Sequence, residues 1–96
     1  MAAFYCEKVY YVPGQDLVAL IGSMESGFVR PGFMIGLPPE VRGPGWVPVH
    51  DVQTVPFRDG RIRLAVLLEY EMLTGAPLME FSDLEGKPLD VRVGAR

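Results

Sequence analysis

Few residues in this chain have the types and spacing that chemistry requires, and they do not converge on one reaction. His50 is the single histidine, with Asp51 beside it. Neighbours on a strand point to opposite faces, so these two make no ready acid–base pair, and His50 is expected to face solvent or cap a strand end. Ser23, Ser26 and Ser82 offer hydroxyls, but no spacing supplies any of them with a base. Glu69 and Glu71 share a strand parity that could present two carboxylates for acid–base work. A solvated strand face has the same pattern and is the expected reading. Cys6 is alone, which leaves no internal disulfide and no cysteine metal cluster; in an apolar stretch it reads as a small buried hydrophobe. Gly22 and Gly27 have the glycine spacing of a phosphate loop, yet Phe28 stands where that loop needs lysine. The expectation is a protein that is not an enzyme, with no catalytic residue, cofactor or metal and no bound nucleotide.

Residues suited to binding are easier to find. Arg58, Arg61 and Arg63 crowd one short stretch, and Tyr5, Tyr11 and Trp46 are expected near the surface. Arginine, tyrosine and tryptophan are the side chains that protein interfaces favour. A formal net charge of −3 argues against bulk binding to a polyanion such as DNA, though a local basic patch remains possible. Two functions stay open. One is an interaction module that docks on a protein partner or on itself through Tyr5, Tyr11, Trp46 or the proline-rich loop. The other is an RNA- or ribosome-associated accessory domain that uses Arg58, Arg61 and Arg63. In their bland reading, these arginines form a solvated strand end paired with Asp59 and Glu69.

The elements that would position these side chains are all strands. With 96 residues, 49% of them hydrophobic, the chain has material for one domain over 1–96 and one modest core. No apolar run reaches the length of a membrane span, and the N-terminal stretch lacks the pattern of a signal peptide, so a cytoplasmic location is expected. Phe4–Val12 is aromatic and β-branched. Phe4, Cys6, Tyr10 and Val12 share one parity, and Tyr5, Glu7, Val9 and Tyr11 the other. Pro13-Gly14 ends that strand. Leu17–Met24 and Phe28–Leu37 read as two strands of a hairpin that reverses at Glu25-Ser26-Gly27, with Gly27 taking a positive φ and Pro31-Gly32 bending the return.

Between Gly36 and Trp46 the chain is too rich in proline and glycine for a central strand or a helix, so it predicts a long loop pinned by Trp46. Val47–Phe57 resumes strand character, with Pro48 and Pro56 at its ends or on an edge. Asp59-Gly60 is the strongest hairpin signal. Beyond it, Ile62, Leu64, Val66 and Leu68 alternate with Arg61, Arg63, Ala65 and Leu67. That period of two puts the even residues in the core and projects Arg61 and Arg63 outward together. Glu69–Thr74 reads as a connection, Leu78–Phe81 as a strand, Leu84–Pro88 as a turn and Leu89–Val93 as a last strand. The result is an all-β protein, a barrel or a sandwich.

Three motifs narrow that choice. They are Val9-Tyr10-Tyr11-Val12-Pro13-Gly14, then Gly22-Ser23-Met24-Glu25-Ser26-Gly27, then Arg30-Pro31-Gly32. Their order and spacing resemble the β-barrel second domain of translational GTPases such as elongation factor Tu, and the alternating stretch after Gly60 resembles a later strand of that domain. The resemblance implies a closed Greek-key β-barrel of about six or seven strands, here without the GTPase domain. With no asparagine in the chain, the guanine-reading N-K-x-D motif is absent. In elongation factor Tu this barrel helps hold the aminoacyl end of tRNA. Of the charged residues that accompany that role, only Glu7 has a counterpart here. Lys8, Gln15 and Asp16 replace the rest, and no arginine stands at Gln15.

Overall fold

The computed structural model describes residues 2–37, 45–69 and 84–94. These form seven antiparallel strands in one sheet: β1 (Ala2–Val12), β2 (Leu17–Ser26), β3 (Met34–Gly36), β4 (Trp46–Pro48), β5 (Asp51–Pro56), β6 (Ile62–Glu69) and β7 (Lys87–Arg92). Their order across the sheet is β4-β3-β7-β1-β2-β6-β5. The all-β expectation holds, and no helix among the described residues is long and apolar enough to cross a membrane. The strand expected at Leu78–Phe81, most of the Glu69–Thr74 connection, the middle of the proline-rich loop, Glu71 and Ser82 lie outside the described residues.

Two turns form where their residues require. In Arg30-Pro31-Gly32-Phe33 the Phe33 amide donates to the Arg30 carbonyl at 3.0 Å, with Gly32 at φ 90°. Proline supplies the fixed φ of the second turn position and glycine the positive φ of the third, as a type II turn demands. At the β5–β6 hairpin the Gly60 amide donates to Phe57 at 3.0 Å and the Phe57 amide to Arg61 at 2.9 Å, which makes a three-residue loop with a glycine bulge. Asp59 Oδ1 accepts from the Arg61 amide at 2.9 Å and fastens the turn.

The hairpin expected at Glu25-Ser26-Gly27 does not form. Strand β2 runs on to Ser26 and pairs with β1 along its length, and its other edge pairs with β6 over Leu17–Gly22. With β6 holding that edge over Leu17–Gly22, a return strand has only Ser23–Ser26 left to pair with. Gly27 does adopt a positive φ of 68°, but as the exit from β2. The chain then crosses to β3, which pairs with β7 and β4.

Alternating residues bury two layers. The larger core contains Phe4, Cys6, Val18, Leu20, Ile35, Val47, Val66, Leu68, Leu84, Leu89 and Val91. Leu17, Ala19, Ile21, Ala65 and Leu67 bury a second cluster on the opposite face. Strands β2 and β6 are therefore apolar on both faces, which explains their nearly continuous hydrophobic runs. The expected core face of β6 holds for Leu64, Val66 and Leu68; Ile62, at the strand's start, is 68% exposed.

The parity expected for β1 is corrected by a register shift between Cys6 and Lys8 that leaves Glu7 as an extra residue. A bulge of one residue exchanges the faces of everything beyond it. Val9 accordingly packs on the larger core with Phe4 and Cys6, while Val12 joins the second cluster and Tyr10 is 53% exposed.

The two outermost strands of the sheet, β4 and β5, are consecutive in the chain, separated by Val49 and His50 alone. The Val49 amide donates to Phe33 at 2.7 Å and the His50 amide to Leu67 at 2.8 Å. Adjacent residues thus bond to opposite ends of the strand order.

Candidate functional site

The arginine hairpin is not the unit that the alternation suggests. Arg58 and Arg61 are exposed, but the Arg63 side chain is only 12% exposed. Its guanidinium lies 5.3 Å from the centre of the Phe57 ring. Arg63 Nε sits 2.8 Å from Glu7 Oε2, off the N–H direction, so this is a charge contact rather than an aligned hydrogen bond. Arg63 Nη2 reaches Asp59 Oδ2 at 3.4 Å. The bulge at Glu7 aims that carboxylate at Arg63, and Phe57 offers its ring face. Arg63 is consumed inside the fold and does not project with Arg61. Glu69, expected to help pair the arginines, instead lies 3.1 Å from His50 Nδ1.

The aromatic candidates are also engaged. Trp46 is half-buried: a Cβ on Gly36 would sit 3.2 Å from its ring, and the Arg92 guanidinium stacks 4.1 Å from its centre. It covers the β3–β4 junction, as a pinning residue should. Tyr5 is half-buried on β1 beside Gly86. Tyr11 is 40% exposed and donates its hydroxyl to Asp16 Oδ1 at 3.1 Å.

His50 is exposed, as expected, and with Glu69 lines a groove that also contains Gln15, Asp16 and Leu17. None of these supplies a nucleophile. Burial pushes the Cys6 thiol up to about 12, with Glu85 and then Glu7 adding to the rise. At that value it is no nucleophile near neutral pH. Among the described residues no group of His, Cys, Asp and Glu could hold a metal ion.

An exposed apolar surface lies elsewhere, at the end of the sheet where the chain leaves β2 and β7. Phe28 is 56% exposed and Val93 70%. With Ala2, Phe33, Val91 and Arg92 they line a groove of about 380 Å³ whose wall is mostly apolar. The Phe28 and Phe33 rings are 5.6 Å apart at 47°, and the Arg30 guanidinium lies 5.0 Å from the Phe28 centre. Its frame is fixed. Gly27 exits β2 against Ala2, the Pro31-Gly32 turn holds Arg30 and Phe33, and buried Val29 anchors the loop between them in the core.

Sequence reasoning missed this groove because it placed Phe28 on a strand. The signal was there in Gly27-Phe28-Val29-Arg30-Pro31-Gly32-Phe33, where turn residues bracket an aromatic that can have no ladder partner. Compared with known proteins, the chain matches no family profile, no curated protein and no solved structure.

Proposed function

We propose that this chain is a non-catalytic protein-docking module, a small closed β-barrel of the kind that translational GTPases carry as their second domain, and that the Phe28 groove is its docking surface. The observation that carries the docking reading is the exposure of Phe28 and Val93 in one groove on a fixed frame. Exposed apolar side chains beside a groove are the kind of anchor point a partner can use. Closure is supported by Val49 and His50, whose amides bond to β3's side and to β6 from adjacent positions, so that β4 and β5 act as one bent strand. The RNA-associated alternative rests on Arg58 and Arg61, with Arg63 already held by Glu7 and Asp59. Two phosphate contacts give a log–log salt slope of about −1.4 on a single strand, too shallow for tight binding.

Selection from a random peptide phage library, counter-screened on Phe28→Ser, tests the docking reading. Selected peptides should lose binding to the variant while circular dichroism shows the fold retained. Peptides that bind wild type and Phe28→Ser equally refute the groove as the docking surface.

A further inference from the structure

We infer that the occupant of this groove is a peptide segment of another protein, apolar at its centre and flanked by carboxylates that pair with Arg30 and Arg92. The inference rests on the docking reading above and adds the chemistry of the partner. The Arg30 guanidinium lies 5.0 Å from the centre of the Phe28 ring and the Arg92 guanidinium 4.1 Å from that of Trp46. A guanidinium held over a ring keeps N–H donors to spare, and a carboxylate can take two of them at once. Neither arginine makes an ion pair among the described residues, whereas Arg63 makes two. On a chain of net charge −3, two unpaired cations beside the apolar groove are a local reversal of sign.

Size and shape favour a segment over a broad interface. A groove of about 380 Å³ admits a few side chains. A second copy of this chain fits poorly. A two-fold interface would set the patch against itself and bring Arg30 and Arg92 near their own counterparts. A nucleic acid also fits poorly: the wall beside Phe28 and Phe33 is the aliphatic Ala2, Val91 and Val93, and two cations supply few phosphate contacts.

The probes are two fluorescein-labelled synthetic peptides, one with a Phe-Leu centre between Asp residues and one with Asn in place of each Asp, plus a labelled oligouridine. Anisotropy titrations on the full chain compare them at low and high salt. The acidic peptide should bind about tenfold more tightly than its amide twin, the product of two exposed charge pairs, and salt should erase most of that gap. The Arg30→Gln/Arg92→Gln double substitution should bring the affinities of the two peptides together. Equal affinities in wild type, a preference that survives the double substitution, binding of neither peptide, or tighter binding of oligouridine each overturns the inference. If Phe28-dependent phage peptides show no acid preference, the docking reading stands and this inference alone falls. Should the double variant not fold, the wild-type comparison of acidic and amide peptides at two salts decides.

Discussion

Gly22→Ala is the sharpest test of how β1 and β2 are packed. Gly22 lies opposite Cys6, beside the Glu7 bulge. A Cβ placed there would stand 1.8 Å from the Tyr5 carbonyl oxygen, 2.9 Å from its carbon and 3.1 Å from the Phe4 ring. Carbon–oxygen contacts settle near 3.3 Å, so the strands would have to part by about 1.5 Å. That displacement breaks one or two ladder bonds, at about 1 kcal/mol each, and strains a packed core by about 2 kcal/mol. The expected loss is about 4 kcal/mol, against a total of roughly 5–14 kcal/mol for a domain of this size. Thermal unfolding followed by circular dichroism should drop by about 20 °C. Gly14→Ala is the control. Gly14 has φ 81° but nothing within 4 Å of its Cβ position, so only the left-handed backbone strain of about 1–2 kcal/mol applies. If Gly22→Ala falls within about 1 kcal/mol of Gly14→Ala, the β1–β2 register described here is wrong.

Cys6 should resist iodoacetamide at pH 8 in the native protein and react at least about a thousandfold faster in urea, since a thiol near 12 is only about one part in ten thousand thiolate at that pH. The same rise links to stability. Below about pH 9.0 the thiol is neutral in both states and its contribution is complete; between 9.0 and about 12 only the unfolded chain ionises, so stability falls by up to about 1.4 kcal/mol per pH unit. Urea titrations of wild type and Cys6→Ala across that range should show the extra slope in wild type only; parallel slopes refute it. Arg63→Gln should cost about 1–2 kcal/mol because it strips Phe57 of its cover and leaves Glu7 without its cation. A double-mutant cycle with Glu7→Gln should return a coupling of about 0.5–1 kcal/mol, and zero coupling would show that the contact has no energetic weight.

Local signals in the sequence were reliable where one or two residues decide a conformation. Asp59-Gly60, Pro31-Gly32, the positive φ of Gly27 and Pro56 at the end of β5 all belong to that class, whereas Val47–Phe57, expected as one strand, divides at Val49 and His50 into β4 and β5. Pairing was less legible, because it depends on which edges other strands have already occupied. The stretch after Gly27 has the composition of a return strand, but β6, some forty residues downstream, holds that edge of β2 over Leu17–Gly22. No local pattern carries that information.

The bulge at Glu7 connects this shortfall to function. Alternation along β1 reads as one strand with two fixed faces, but a single extra residue exchanges the faces halfway along it. That residue also turns a carboxylate toward Arg63, so one of the three arginines most suggestive of phosphate binding is held within the fold while Arg58 and Arg61 stay exposed. Arg30 and Arg92 look unremarkable in sequence, one before a turn and the other near the end of the last strand. In the proposed docking surface they are the binding cations, since each has a ring to lie on and no ion pair among the described residues. Whether an arginine serves the fold or a partner is therefore set by where the acids are placed, and in β1 that placement turns on one inserted residue.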